Sequence, residues 1–279
     1  MPQFRHVIIT RFNVRYGSAG GTMWERVRSS PEWLARRFQL FETYCLPTVI
    51  GQTSQNFTWL LYFDTATPAV FVERARRVTA ACGNIRILFC ETYGDGTLAG
   101  DLVREITPAP QWLLTTRLDN DDGLHCDFVA RLQNALAFGD REALNFPCGV
   151  IYCRGRTYLH HHYSNAFLSL FEPFDGFRTV LCVPHEDVAK MAPVRQLDGP
   201  PAWLQVIHQA NVSNRVHGRR VPKDQALQGF LIDGSACGVT PDASPFAMML
   251  DNRVAGSWRD LRDSAFGALK KLRSPGWRR

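Results

Sequence analysis

The stretch Leu113-Leu114-Thr115-Thr116-Arg117-Leu118-Asp119-Asn120-Asp121-Asp122-Gly123 decides how this chain is read, because an apolar strand ends there in three carboxylates within four residues. Side chains alternate along an extended backbone, which sends Arg117, Asp119 and Asp121 to one face and Asn120 and Asp122 to the other. Two carboxylates at that spacing suit a hard divalent ion. Mg²⁺ or Mn²⁺ takes one or two carboxylates from a protein and fills its remaining positions with water and substrate phosphates. The implied ligand is phosphorylated. Asp-Asp-Gly would also suit a hairpin turn, but the following Asp127–Phe138 carries Phe128, Leu132, Ala135 and Leu136 at helical spacing, so a strand running into a helix fits better. An EF-hand loop fails, since counting from Asp119 puts Leu124 and Ala130 where that loop needs Gly and Glu. A merely solvated acidic turn stays open.

Working outward, Arg5–Phe12 is a β-branched run fit for a buried parallel strand, followed by a glycine-rich loop at 17–21. A helix is expected over Pro31–Cys45, where Leu34, Phe38, Phe41 and Cys45 recur at three- and four-residue steps and Pro31 suits a first turn. Phe57–Asp64 reads as a second strand, Ala69–Cys82 as a helix, Ile85–Glu91 as a third strand and Trp112–Leu118 as a fourth. Strands alternating with helices make an α/β fold with a mostly parallel sheet, whose ligands gather at the carboxyl ends of the strands. Polar residues fall on that edge: Arg11 and Asn13 after the first strand, Asp64 after the second, the Asp119 cluster after the fourth. Asp64, in Phe-Asp-Thr-Ala-Thr-Pro, reads equally as a turn or cap residue and as a ligand group. Beyond residue 140 the rhythm fades. Leu144–Cys153 and Thr157–Phe171 look strand-rich, Glu186–Met191 like a short helix, and Pro193–Pro222 largely loop-like around a strand-like Trp203–His208.

With 279 residues and 45% hydrophobic content the chain can bury a sizeable core, and no break marks two domains. One domain is expected, with a ligand-binding half over about 1–140, a second half over about 141–260 and a basic tail over 261–279. The net charge of +6 concentrates in that tail, Lys270-Lys271-Leu-Arg273-Ser-Pro-Gly-Trp277-Arg278-Arg279, which offers solubility or weak attraction to an anionic surface. The eight cysteines form no CxxC pair and sit in apolar segments, so they read as small buried hydrophobes in a reduced, cytoplasmic setting. Neither a signal peptide core nor a membrane-spanning run is visible.

The ordered set Thr10-Arg-Phe-Asn-Val14, Arg37-Phe-Gln-Leu-Phe-Glu42, Cys45-Leu-Pro-Thr-Val49 with Gln52-Thr53, Phe57-Thr-Trp-Leu60, Thr116–Asp122, Asn165-Ala-Phe-Leu-Ser169 and Trp203–Asn211 resembles the putative rhamnosyltransferase family of GT-A-type glycosyltransferases over about residues 5–220. The resemblance implies a GT-A-like sheet with an acceptor-facing second half. It also implies a nucleotide-diphosphate sugar donor bound near Arg11, Asp64, Arg117 and Asp119. The diphosphate would rest on Mn²⁺ or Mg²⁺ held by Asp119 and Asp121, where the metal neutralises charge on the leaving group. His208 is the candidate for a later ligand to the same ion, although a His after an apolar run is as often a hydrogen-bonded core residue. In Pro184-His185-Glu186-Asp187, two acids open an apparent helix and serve its dipole. They also resemble the acid pair of inverting GT-A enzymes, which makes Asp187 the expected base and Glu186 the second choice.

His160-His161-His162 resembles a metal site, but only His160 and His162 would share a strand face and no spaced Cys or Glu completes a zinc pattern, which favours a polar sheet surface or acceptor rim. The expected activity is non-processive transfer of a sugar, with rhamnose suggested by the family name, to a glycan or small acceptor. Two other classes compete. A metal-dependent phosphoesterase or nuclease usually needs more converging acids than the single cluster here. A polyanion-binding module would interleave aromatic residues with Lys and Arg, whereas here they lie in core-like segments, so no specific nucleic-acid partner is expected.

Overall fold

A computed structural model describes residues 3–15, 27–28, 30–208, 215–232 and 243–258. The glycine-rich loop at 17–21, Cys237, Gln209–Asn211 and the basic tail lie outside them. Four strands, β1 (Phe4–Arg11), β2 (Thr58–Asp64), β3 (Ile85–Cys90) and β4 (Trp112–Arg117), pair in parallel in the order β4-β1-β2-β3. Past β4 the sheet continues through β9 (Ser169–Pro173) and β6 (Glu142–Asn145) to β10 (Val194–Gln196), with only β9 running against the rest. This seven-stranded, mostly parallel sheet is the α/β architecture expected from the strand and helix rhythm.

Helix α1 (Pro31–Leu40) starts where the Ser30 hydroxyl accepts the Trp33 N–H, with Pro31 in its first turn. It passes through a π-helical turn, Phe41–Cys45, into α2 (Leu46–Ile50), so the helical stretch runs longer than the expected Pro31–Cys45. Pro47 explains the loosening: it has no N–H for the carbonyl a turn earlier, and its ring crowds that carbonyl. The buried face of this helix meets the sheet through aromatic rings, with Phe12 stacked on Phe63 at 4.5 Å and against Phe38 at 4.6 Å. Phe38 is fully buried, and truncating such a ring costs about 3–5 kcal/mol.

α3 (Ala69–Thr79) joins β2 to β3, and α4 (Asp95–Glu105) joins β3 to β4. No helix was expected between Glu91 and Trp112. Gly96 and Gly100 dilute its helical pattern, yet Leu98 and Leu102 are buried at helical spacing and hold it to the sheet. α5 (Phe128–Asn134) follows the acidic stretch.

A separate five-stranded sheet has the order β12 (Arg219–Val221), β8 (Arg156–His161), β7 (Cys148–Cys153), β11 (Trp203–Ile207), β5 (Gly123–Leu124). Pro193–Pro222 stays largely loop-like among its described residues around the expected strand, here β11, and adds only the short β10, in the large sheet, and β12. Gly149 on β7 lies under the Trp203 ring, which a Cβ there would strike. Trp203 also stacks on Phe167 at 5.0 Å and donates its indole N–H to the Phe146 carbonyl at 2.8 Å. A 3₁₀ helix covers His185–Lys190, and α6 (Lys223–Ala226) and α7 (Pro245–Asp251) close the described chain, α7 running on through a π turn at Asn252–Gly256. No helix among the described residues is long and apolar enough to cross a membrane.

Candidate active site

In the large sheet the chain leaves β1 for β2 on one side and returns as β4 on the other, so the order reverses between β1 and β4. A crevice opens at the carboxyl ends of the strands on either side of such a reversal, and ligands bind there. Arg11 ends β1, Arg117 ends β4, and the acidic stretch lies beyond Arg117.

The acidic residues do not continue the strand, which corrects the expected alternation of faces. After Arg117 the chain turns, with the Asp122 N–H donating to the Asp119 carbonyl at 3.3 Å. Three contacts fix this elbow. The Asn120 amide donates to the Phe12 carbonyl at 2.9 Å, tying it to the end of β1. Gly123 presses against α2 and the π turn, where a Cβ would lie 3.0 Å from the Tyr44 carbonyl and 3.1 Å from the Thr48 methyl carbon. The chain then enters the small sheet as β5, antiparallel to β11. The elbow thus joins the two sheets.

The three aspartates have separate surroundings. Asp122 is buried and accepts the Val206 N–H at 2.8 Å, a side chain continuing the β5–β11 ladder where its backbone stops. Burial pushes its carboxyl well above the ordinary range, with the neighbouring Asp121 and Asp119 charges adding to the push. Asp121 pairs with Arg37 of α1 at 2.6 Å and with His208 Nε2, just past β11, at 2.8 Å. Arg37 also donates to Asn120 at 3.1 Å and stacks on the Trp33 ring, 4.8 Å from its centroid. Asp119 pairs with Arg117 at 3.0 Å and keeps 36% of its side chain exposed. Burial acts to raise its pKa, but the Arg117 and Arg11 guanidiniums, with His185 beyond them, outweigh it and hold the carboxyl below its usual value. Elbow and strand end together set carboxylates among Arg11, Arg37, Arg117, His185 and His208, a surrounding suited to an anionic ligand.

Asp64 at the end of β2 is fully buried. Its carboxylate takes Arg15 at 2.7 Å and the Ala66 N–H at 2.7 Å, the turn geometry that its sequence offered as one of two readings. The group exposed beside it is Arg15, 46% open, which sequence reasoning missed. Arg11 lies over the Tyr93 ring at 5.8 Å. Glu186 pairs with His185 at 3.1 Å and Asp187 with Lys190 at 2.7 Å, both acids on the exposed side of the 3₁₀ helix that brings His185 toward Asp119. His160 packs near His162 and stacks on His217 at 5.2 Å, on the small sheet.

Among the described residues no group of three or more His, Cys, Asp or Glu side chains is arranged to hold a metal ion. Two carboxylates suffice for Mg²⁺ or Mn²⁺ when phosphate and water supply the other oxygens. Asp119 and Asp121 share one elbow, so their chemistry fits such an ion, while each also faces an arginine.

A family model described as putative rhamnosyl transferase matches residues 5–220. No curated protein matches the sequence. Solved structures with a similar course include S. aureus TarS 1–349, at 12% identity over 72% of this chain and 60% of that one, with a TM-score of 0.39. A 4-diphosphocytidyl-2C-methyl-D-erythritol synthase from Anaerococcus prevotii matches at 12% identity over 81% of this chain and 96% of its own, with a TM-score of 0.39. A structure described as a putative nucleotide-diphospho-sugar transferase from Desulfovibrio desulfuricans matches at 12% identity over 74% of this chain and 81% of its own, with a TM-score of 0.36. The chain spans about 60% of the length of the TarS structure it matches. On its family match over residues 5–220, with the α/β fold and the acidic elbow in place, the chain belongs to the putative rhamnosyl transferase family.

Proposed function

We propose that the chain moves a single sugar, rhamnose by the family's name, from a nucleotide-diphosphate donor to a hydroxyl of a glycan or small molecule, with a divalent cation at the elbow. The observation that carries the reading is the position of Asp119 and Asp121: at the β1/β4 reversal, in a setting of arginine and histidine cations. Asp119 and Asp121 would hold Mn²⁺ or Mg²⁺, which when bound supplies Lewis-acid neutralisation of the departing diphosphate. His208 orients Asp121 through their hydrogen bond and is the candidate third ligand. Arg11 and Arg117 line the same edge and attract the donor's negative charge, and Arg15 does so at the end of β2. In an inverting transfer the acceptor oxygen forms a bond to the anomeric carbon as the bond to the nucleotide diphosphate breaks, and the hydroxyl proton passes to a carboxylate. Asp187 is assigned that role, with Glu186 second.

Asp121→Ala tests the reading. With Mn²⁺ present, release of nucleotide diphosphate in the presence of acceptor should fall by at least about a hundredfold, with the melting transition kept. Undiminished transfer would remove the elbow from the mechanism. Nucleotide release without any acceptor, or cleavage of DNA, would favour the phosphoesterase reading.

We also propose peripheral attachment to an anionic bilayer. Phe246, Leu250, Val254 and Trp258 recur every four residues from α7 onward and are each at least half exposed. The sequence that follows carries the basic run Lys270–Arg279. An exposed apolar stripe followed by basic residues suits the interface of anionic lipid. Sedimentation with phosphatidylglycerol vesicles, lost in Leu250→Glu/Trp258→Glu and absent with phosphatidylcholine, is the expected result. Equal sedimentation of the variant would refute it.

A further inference from the structure

His208 has a second neighbour besides Asp121. It also lines a cavity of about 370 Å³, together with Cys153, Arg154, Arg156, Tyr158, Ile207 and Val216. That volume falls in the range of small-ligand sites, roughly 300–1,000 Å³. The cavity lies on the small sheet, where the β7–β8 hairpin turns beside the end of β11. The turn is a two-residue one, Arg154 at φ 50° and Gly155 at φ 76°, between the paired residues Cys153 and Arg156. Two positive-φ residues match the twist of a tight hairpin, and they fix Arg154 at its tip with Arg156 directly after it.

Both arginines are exposed, and among the described residues neither side chain makes a hydrogen bond or an ion pair. Most cations elsewhere around the site are engaged: Arg15 by Asp64, Arg37 by Asp121, Arg117 by Asp119. The remaining walls, Tyr158, Ile207 and Val216, are an aromatic ring and aliphatic side chains, suited to the apolar face of a sugar ring. Two uncommitted guanidiniums above an apolar floor select a ligand that has such a face and carries an anion.

We propose that this cavity is the acceptor subsite, and that it takes an acceptor bearing a phosphate or carboxylate gripped by Arg154 and Arg156. The inference rests on the glycosyltransferase reading: a donor diphosphate at the elbow and an acceptor in the cavity meet across His208, which belongs to both. The donor edge and the acceptor cavity are thus built from different sheets, and the elbow that crosses between them brings the two substrates together.

Calorimetric titration of the full chain with glucose 1-phosphate, glucuronate and glucose tests it, each in the presence of Mn²⁺ and the nucleotide diphosphate that most raises the melting temperature. At least one anionic probe should bind about tenfold or more tightly than glucose, the phosphate and carboxylate arms telling which anion is preferred. Arg154→Gln/Arg156→Gln should lose that preference, and Arg154→Lys/Arg156→Lys should recover part of it. A cooperative melting transition in each variant excludes unfolding as the cause. Equal or absent binding of all three probes, or a preference kept by the Gln variant, overturns the proposal. If no nucleotide diphosphate stabilises the wild type, the glycosyltransferase reading itself fails; if one does and the anions do not outbind glucose, only the acceptor subsite fails.

Discussion

Asp122 and Asp121 are adjacent in sequence, yet the structure gives them opposite work, and a pair of substitutions at Asp122 separates them. Its carboxylate oxygen accepts the Val206 N–H at 2.8 Å inside the protein, with the two neighbouring carboxylates opposing its charge. Asp122→Asn keeps the acceptor oxygen, removes the charge and leaves the ladder to β11 intact. Its stability should be equal to or above that of the wild type. Asp122→Ala strands the Val206 N–H away from water, which costs about 1–3 kcal/mol. At about 2–4 °C per kcal/mol for a chain of this size, the melting temperature should fall by roughly 2–12 °C. Scanning calorimetry of the two variants, with nucleotide-release assays on the same preparations, gives the answer. The Asn variant should keep transfer within a few-fold of wild type, in contrast to Asp121→Ala. An Asn variant as stable as wild type but as inactive as Asp121→Ala would refute the division of roles, since Asp122 would then act through its charge rather than through the ladder.

Two further predictions concern stability. His6 is buried, accepts from Gln133 at Nδ1 and donates from Nε2 to Thr116, a neutral form that burial enforces by lowering its pKa from 6.5 to about 3. The unfolded chain gains this proton near pH 6.5 and the folded one only near 3, so stability is lost as pH falls through that window, by about 2 kcal/mol at pH 5. Urea titrations at pH 7 and pH 5 should show that loss shrink in His6→Gln; an unchanged difference would contradict it. Gly149→Ala drives a methyl into the Trp203 ring, and overpacking of this kind costs about 1–3 kcal/mol or more. A variant melting with the wild type would show that the small sheet yields there.

β1, β2 and β4 were legible because each is an apolar or β-branched run almost wholly buried, as a central strand requires, and β3 by its Ile85, Ile87, Leu88 and Phe89 although it is the half-exposed edge strand. In the second half β7, β8 and β11 were legible, and the shortest strands of both sheets were not. β10 and β12 are three residues each and half-buried, too short for a period to emerge, and β5 is only two. α4 escaped because its two glycines weaken the helical signal that Leu98 and Leu102 carry. At the site, the carboxylates announced themselves by density, but their roles depend on a turn and on an antiparallel register with β11, neither of which periodicity encodes. Arg37 comes to the elbow from 83 residues earlier and Arg15 to Asp64 from 49, distances over which single-sequence patterns are silent. Those arginines bear most on the chemistry: Arg37 holds the acidic elbow, and Arg15 holds Asp64 at the end of β2.

The most direct test of the elbow as the seat of an activated sugar is a melting screen of uridine, thymidine and guanosine diphosphates and their sugars, with and without Mn²⁺, on the wild type and on Asp119→Ala/Asp121→Ala. A ligand at a hundred times its dissociation constant stabilises the native state by about 2.7 kcal/mol. At about 2–4 °C per kcal/mol, one nucleotide sugar should raise the wild-type melting temperature by roughly 5–11 °C in Mn²⁺ and leave the double variant unmoved. No shift with any of them, or the same shift in both proteins, would contradict the account.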